Sequence, residues 1–414
     1  MMLFKKPELL APAGDFEKLK MAVTYGADAV YIGGKLFGLR ANAKNFDDNE
    51  LKTAIEYAHD HHVKVYVAVN IYAKNKDFDG LESYLQMLKD INADAVLVAD
   101  PGVLSVAQKI SGLNIHISTQ ANVTNFESAL FYKNNGASRI VLARELSLDE
   151  IKYINQKTAP FETEVFVHGA MCVSFSGRCL LSNYMTSRDG NQGDCAQPCR
   201  WKYHLMEDKR PGEYFPVYED ENGTYIMNSK DLCMIQHIPQ LVASGVSSLK
   251  IEGRMKTAYY VAVVTRAYRQ AIDDYFESTE LYESKKDLYM KEILKSSHRE
   301  FFTGFYLASP NETEGQSQES AVYTSTHEFI GIVQEYDAEN KIAMVEQRNK
   351  FSVGDEVEFV MGGFTQKIIE MFDNNGAAIS SAPHPQHMIK VRVDRPVEKY
   401  DIMRKEATLF VQGH

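Results

Sequence analysis

The sequence predicts an α/β fold: a TIM-type (β/α)8 barrel with a long cysteine-containing insertion, followed by a small antiparallel β-barrel domain. Short apolar runs alternate with helix-like segments over roughly the first 250 residues, as in parallel α/β folds. A long excursion interrupts them before the last run, and alternating apolar and polar residues begin near residue 321. We therefore expect the barrel in residues 1–320, its insertion at 171–245 and the β domain in 321–414.

Eight short runs rich in β-branched residues make up the predicted barrel. They are too short for helices and lack polar alternation, which is typical of parallel strands covered on both faces. Gly26, Gly136 and Gly245 suit the left-handed ends of the preceding helices. An open doubly wound sheet is the alternative, but the first turn, APAGD, lacks the GxGxxG signature. The runs are ELLAPAG (8–14), YGADAVYIGG (25–34), KVYVAVN (64–70), INADAVLVAD (91–100), NIHISTQ (114–120), NNGASRIVLA (134–143), EVFVHGA (164–170) and SGVSSLKIEG (244–253).

The C-terminal stretch alternates apolar and polar residues in short segments. HEFIGIVQEYD and IAMVEQ are followed by a second set, QKIIEMF and MIKVRVD, with turn signals at 337–340 and 352–355. Short strands at this spacing are typical of a small antiparallel barrel. Such a module often binds or positions a partner, and packing against the large barrel is an equally good explanation.

Polar residues follow the ends of the predicted strands, where the loops of TIM barrels carry their active sites. For any one of them, local capping or an Arg–Glu pair that holds the rim together is an equally good explanation. Their convergence on one face favours a site. The candidate catalytic residues are Arg144, Glu145, His168, Glu252 and Arg254, and the candidate substrate contacts at strand ends are Asn70 and Gln120.

Composition narrows the class of protein. Hydrophobic residues make up 44% and charged residues 24%, as in ordinary globular proteins. We expect a cytoplasmic protein, because no apolar run is long enough for a signal peptide or a membrane span. The net charge of −11 argues against nonspecific coating of nucleic acid, although a local basic patch is compatible with it.

Four of the five cysteines lie close together, with the spacing C-x6-C-x15-C-x3-C from Cys172 through Cys179 and Cys195 to Cys199. In a reducing compartment such a cluster more often binds metal or does chemistry than forms disulfides. Four thiolates hold either zinc or a four-iron cluster. The wide first spacing favours iron–sulfur over zinc, because structural zinc sites usually use two tight cysteine pairs.

Two other interpretations of the cysteines stay open. Cys172 is a candidate nucleophile, with His168 four residues before it as the activating base. Alternatively, the four cysteines are buried apolar residues without a ligand role, which their polar surroundings disfavour. The fifth, Cys233, lies in an apolar helix-like segment, and we expect it in the core.

Four motifs resemble the peptidase U32 family, once described as collagenase-like proteases: GAMCVSFSGRCLLS, RDGNQGDCAQPCRWKY, GTYIMNSKDL and SLKIEGRMK. Within the family the chain is most similar to bacterial members that hydroxylate tRNA at the wobble uridine. The resemblance implies a TIM-type barrel, 5-hydroxylation of uridine and prephenate as the partner metabolite. It also implies a [4Fe–4S] cluster whose ligands are Cys172, Cys179, Cys195 and Cys199. Related members hydroxylate a ribosomal RNA cytidine or act in quinone synthesis.

Several residues suit contact with RNA. Arg200 and Trp201 follow the last cysteine of the motif, and a cation beside an indole suits phosphate contact and base stacking. Packing of Trp201 against the barrel rim is equally compatible. Arg188, like Arg144 and Arg254, is a candidate contact for RNA or a dicarboxylate. The expected partners are the tRNA anticodon loop, prephenate or a similar metabolite, and a paralogous protein.

Two other functions remain open. The first is a peptidase, although the sequence has no HExxH helix, GxSxG turn or recognisable triad. The second is a noncatalytic binding protein whose insertion is stapled by zinc.

Overall fold

The structure is a computed structural model. It describes residues 5–38, 45–171, 230–307 and 324–407 of the 414, and only short pieces between residues 181 and 225. The strands of the first part of the chain are β1 (Glu8–Pro12), β2 (Ala29–Gly33), β3 (Lys64–Val69), β4 (Ala95–Val98), β5 (Ile115–Ile117), β6 (Arg139–Val141), β7 (Glu162–Ala170), β8 (Leu205–Met206), β9 (Tyr214–Phe215), β10 (Tyr218–Asp220), β11 (Gly223–Tyr225), β12 (Asp231–Cys233), β13 (Ser248–Ile251) and β14 (Phe301–Phe302).

Eight parallel strands close into a barrel in the order β1 to β7 and then β13, which pairs with both β7 and β1. These are the eight runs that the sequence predicts as strands. Their residues are almost all buried, because the barrel interior covers one face and the helices cover the other. The TIM-type fold is confirmed.

The helices begin at capping residues that satisfy their first N–H groups. Asp47 and Ser147 form capping boxes with Glu50 and Glu150, and Asp100 caps a helix that starts with a proline. The helices are α1 (Phe16–Thr24), α2 (Asp48–Asp60), α3 (Leu81–Asp90), α4 (Pro101–Ala107), α5 (Phe126–Asn134), α6 (Leu148–Thr158), α7 (Leu181–Thr186), α8 (Ile238–Ala243), α9 (Ala258–Glu277) and α10 (Thr279–Leu294), with 3-10 turns at Asn75–Phe78, Thr119–Ala121 and Ile235–His237.

A charged network fills the end of the barrel at which the strands begin. The Arg139 guanidinium lies 2.5 Å from Glu8, 2.7 Å from Glu162 and 3.3 Å from Glu164. Lys250 lies 2.8 Å from Glu164, which is fully buried. Burial alone would raise the pKa of the Glu164 carboxyl, but Lys250 and Arg139 outweigh it and hold that pKa below its usual range. These partners come from four different strands, so they meet inside the barrel and form its floor.

The chain between β7 and β13 rejoins the barrel sheet before the predicted end of the insertion at residue 245. Strand β12 pairs in the antiparallel direction with the end of β7 and in the parallel direction with β14. Cys233 lies in this strand, so the expectation of a helix-like segment at Cys233 is wrong. Its expected burial is confirmed, with 5% of the residue exposed.

The C-terminal part forms antiparallel strands around its own core. Its strands are β15 (His327–Asp337), β16 (Ile342–Gln347), β17 (Phe351–Ser352), β18 (Glu356–Phe359), β19 (Phe364–Lys367), β20 (Met371–Phe372), β21 (Ser381–Ala382), β22 (Met388–Arg392) and β23 (Ile402–Glu406). Seven of them form one sheet in the order β19-β18-β23-β15-β16-β22-β20, and β17 pairs with β21. This confirms the small antiparallel β module.

A buried arginine joins the two parts of the molecule. Arg404 in β23 is fully buried and lies 2.7 Å from Glu292 of α10 and 2.7 Å from Glu358 of β18. Burial would raise the pKa of Glu358, but Arg404 and Lys295 outweigh it and lower that pKa to about 2. The β module is therefore tied to the barrel helices by charge as well as by apolar packing. In the part of the chain that is described, no helix is both long and apolar enough to cross a bilayer.

Candidate functional site

Arg144 and Glu252 form an ion pair at the mouth of the barrel, where the strands end. Nη2 of Arg144 lies 3.3 Å from Oε2 of Glu252, and each side chain is 13% exposed. Nη1 of Arg144 donates a hydrogen bond of 2.8 Å to the carbonyl of Ala170 at the end of β7. The guanidinium carbon lies 3.8 Å from the centre of the Phe166 ring below it. The guanidinium of Arg144 is thus held by three contacts, and both side chains of the pair stay partly exposed.

Arg254 lies in the loop after β13 and is 4% exposed. Its guanidinium packs against the Cα of Gly33 at the end of β2, where an added Cβ would come within 2.1 Å of Nη2. Nη2 also donates a hydrogen bond of 2.6 Å to the side chain of Asn45. Only a glycine at position 33 leaves space for the cation, which spans from the last strand to the loop after the second.

Asn70 and Gln120 meet on the other half of the mouth, at the ends of β3 and β5. Nδ2 of Asn70 donates a hydrogen bond of 3.1 Å to Oε1 of Gln120, and the Ser118 hydroxyl donates to the same oxygen. The hydroxyl of Tyr72 holds the backbone carbonyl of Gln120. The two amides predicted as substrate contacts therefore form one hydrogen-bonded cluster at the rim.

His168 does not line the mouth with the other candidates. It is 1% exposed and lies among the rings of Tyr260, Tyr268 and Phe301, whose centres are 5.3 to 5.9 Å away. Burial lowers the pKa of His168 to about 3, so its imidazole is neutral at physiological pH. Its side chain faces helix α9 instead of the barrel interior.

A buried cation lies beneath the mouth. Nζ of Lys250 is 4.5 Å from the centre of the Tyr31 ring and 5.3 Å from that of Phe166, whose ring also contacts Arg144. Arg144 and Lys250 thus both contact the Phe166 ring, and the carboxylate of Glu164 neutralises the charge of Lys250. The rings of Tyr31 and Phe166 and the Lys250–Glu164 pair therefore lie directly beneath the mouth.

The insertion supplies few described positions. Cys195 and Arg188 of the insertion are exposed. Outside the insertion, the candidate Glu145 follows Arg144 and is half-buried. Cys172, Cys179, Cys199, Arg200 and Trp201 lie outside the described residues. Among the residues that are described, no three His, Cys, Asp or Glu side chains converge as metal ligands.

The structure brings together two sets of the predicted residues, Arg144 with Glu252 and Asn70 with Gln120, and places Arg254 at the same mouth. Sequence reasoning missed Phe166 and Lys250, which support this site from below. The signal was present in part: Glu164 and Lys250 are charged residues in the middle of buried strand runs, where an ion pair is needed to stabilise them.

Comparison with known families identifies the chain. The model of peptidase family U32 matches residues 14–316, and the model of the family's C-terminal domain matches residues 325–404. The chain belongs to peptidase family U32. The resemblance carried by the cysteine-rich motifs and SLKIEGRMK is therefore confirmed.

Three named relatives of this U32 chain match it over most of its length. The tRNA hydroxylation protein P1 of Bacillus subtilis is 42% identical over 98% of this chain and 96% of its own length. The tRNA hydroxylation protein P2 of the same organism is 36% identical over 73% of this chain and 98% of its own. An uncharacterized protease of Methanocaldococcus jannaschii is 41% identical over 84% of this chain and 86% of its own.

Proposed function

We propose that this U32 family protein hydroxylates RNA, at carbon 5 of the wobble uridine of tRNA. The observation that carries the proposal is the 42% identity, over 98% of the chain, to a protein named for tRNA hydroxylation. That alignment spans nearly the whole chain, including the strand ends that form the mouth.

The mouth suits an anionic substrate with accessible bases. Arg144 and Arg254 bring two cations to the strand ends, and the hydrogen-bonded amides of Asn70 and Gln120 lie at the ends of β3 and β5 on the same rim. Guanidinium groups pair with phosphates, and amides read the edges of unstacked bases. We infer that Arg188, Arg200 and Trp201 of the insertion extend the contact along the RNA.

We further propose that Cys172, Cys179, Cys195 and Cys199 hold a [4Fe–4S] cluster. Four thiols within 28 residues are the donor set that such clusters use, and zinc is the alternative occupant. An iron–sulfur cluster supplies one-electron redox chemistry when bound. Anaerobic purification followed by iron and sulfide analysis tests this assignment. A colourless, iron-free preparation, or one zinc without sulfide, would contradict it.

Two partners complete the proposal. We propose that prephenate or a similar dicarboxylate binds at the same mouth, because a guanidinium can pair with a carboxylate. A paralogous chain is the proposed protein partner, since P1 and P2 occur together in one organism.

Nucleoside mass spectrometry of RNA from a deletion strain tests the reaction and the substrate together. We expect 5-hydroxylated uridine to disappear from tRNA, to return with the wild-type gene and to stay absent with Arg144→Gln. A matched Lys52→Gln variant, altered at an exposed ion pair on α2, should restore the modification fully. Unchanged hydroxylated uridine in the deletion strain would refute the proposal.

A peptidase is the second candidate, favoured by the name of the M. jannaschii relative. It would use Cys172 as nucleophile and His168 as base. The pKa of about 3 makes His168 a weak base at neutral pH, which disfavours this function. Peptide cleavage that is lost in Cys172→Ser, with bound iron unchanged, would favour it.

A further inference from the structure

Strand β7 carries a bulge near the end of its pairing with β13. Lys250 pairs with Phe166 and Ile251 pairs with His168, so Val167 is an extra residue in β7. From His168 onward β7 also pairs with β12, in the antiparallel direction and on the edge opposite β13. A bulge disrupts the ladder and re-aims the residues that follow it. The end of β7 is therefore directed by whatever holds the bulge.

Tyrosine hydroxyls hold the carbonyls of the bulge from outside the barrel. Tyr306 donates to the carbonyl of Phe166 at 2.5 Å, and Tyr268 donates to the carbonyl of Val167 at 2.7 Å. Both tyrosines are buried. The Val167 carbonyl also accepts from the backbone N–H of Met234 at 2.9 Å. Because a buried carbonyl without a partner is destabilising, the two hydroxyls and this N–H together fix the shape of the bulge.

A third tyrosine, Tyr260, contacts Glu252, the residue that follows β13. The hydroxyl of Tyr260 donates a hydrogen bond of 2.9 Å to the carbonyl of Glu252, whose N–H donates to the carbonyl of His168 at 2.9 Å. Two glycines make room for the ring: a Cβ at Gly169 would lie 3.1 Å from the Tyr260 oxygen, and one at Gly253 would lie 2.6 Å from a ring carbon. The backbone of Glu252 is thus held from both sides.

We propose that Tyr260 is a positioning residue for the reaction: by holding the carbonyl of Glu252, it fixes the carboxylate that orients Arg144 at the mouth. Glu252 contacts Arg144 at 3.3 Å, and the carbonyl of Ala170 beyond the bulge accepts from the same guanidinium. The expected effect of Tyr260 on kcat/KM rests on the proposed function, whereas its expected effect on the chemical reactivity of Arg144 does not.

Chemical modification of Arg144 tests the positioning without any assay of function. The full-length wild type, Tyr260→Phe and Tyr282→Phe are treated with phenylglyoxal, and modification of Arg144 is followed by peptide mass spectrometry. Tyr282 is the matched control, because it is also buried and donates to a backbone carbonyl, that of Ile235, at 2.8 Å. We expect Arg144 to react about tenfold faster in Tyr260→Phe and at the wild-type rate in Tyr282→Phe. Equal rates in all three proteins would overturn the inference.

Kinetics test whether Tyr260 acts through Glu252. Tyr260→Phe and Glu252→Gln should each lower kcat/KM for RNA hydroxylation by about tenfold, and the double variant should lose no more than Glu252→Gln alone. Multiplying losses would show independent roles and overturn the inference. If the wild type hydroxylates no RNA while the modification rates differ as expected, the proposed function fails and the positioning role stands.

Discussion

Replacing Gly33 by alanine should displace Arg254 from the mouth and leave the barrel folded. A Cβ at position 33 would lie 2.1 Å from Nη2 of Arg254, whereas ordinary contacts begin at 3.4 Å. The guanidinium must therefore move by about 1.3 Å, which breaks its 2.6 Å hydrogen bond to Asn45. Because the displaced atoms end a flexible side chain, the free energy of unfolding should fall by less than about 1 kcal/mol.

Gly14→Ala is the matched control, because its Cβ would lie 2.1 Å from the backbone carbonyl oxygen of the same Arg254. Backbone yields less readily, so this variant should lose about 1–3 kcal/mol of unfolding free energy. Urea unfolding and kcat/KM for RNA hydroxylation are measured for both variants and for Arg254→Gln. A guanidinium misplaced by about 1 Å should lower kcat/KM on the order of 100-fold, so Gly33→Ala should resemble Arg254→Gln. Wild-type kcat/KM in Gly33→Ala, or instability equal to that of Gly14→Ala, would refute the reasoning.

Three further predictions concern stability. Glu164→Gln should lower the unfolding free energy by about 3–5 kcal/mol in urea, because Lys250 loses its buried carboxylate, whereas Glu56→Gln in an exposed pair should lower it by less than about 0.5 kcal/mol. His168 has a pKa of about 3 in the folded protein and about 6.5 when unfolded, so stability should fall as pH drops below about 6.5. His168→Phe should flatten that part of a Tm-against-pH curve, and an unchanged slope would contradict the assignment. Glu358, with a pKa of about 2, stabilises the fold above its unfolded pKa of about 4.3 and loses this effect as pH falls towards 2. Glu358→Gln should therefore melt with a shallower acid dependence, and an identical acid limb would count against the interface pair.

The strands of the barrel were predictable because each is an apolar run bounded by small or polar residues. AVYIG at β2 and KVYVAV at β3 are short and rich in β-branched residues, and their repetition between helix-like segments favours parallel strands covered on both faces. The mouth residues followed from the same pattern, since Arg144 and Glu252 come directly after strands whose ends meet at one rim.

The orientation of His168 was not predictable from the sequence. Side chains alternate along a strand, and Glu164 and Phe166 contact partners inside the barrel. His168 would follow them inward, but the extra residue Val167 reverses the alternation and turns it towards α9. Nothing in EVFVHGA marks a bulge, because the bulge depends on tyrosines that come more than 90 residues later, such as Tyr268.

The strand that contains Cys233 was also not predictable from the sequence. A short apolar run fits a strand or a buried helix equally well by its pattern alone. Asp231–Cys233 becomes a strand because the edge of β7 opposite β13, beyond the last residue that pairs with β6, is open to it. Tertiary context therefore decided the local structure.

The charged floor of the barrel determines how ligands travel. Glu8, Arg139, Glu164 and Lys250 close the end opposite the mouth with contacts of 2.5 to 3.3 Å. A molecule that enters between Arg144 and Asn70 therefore reaches a dead end and has to leave by the way it came. Substrate arrival and product departure then share one opening, so each turnover requires the mouth to be vacated before the next can begin.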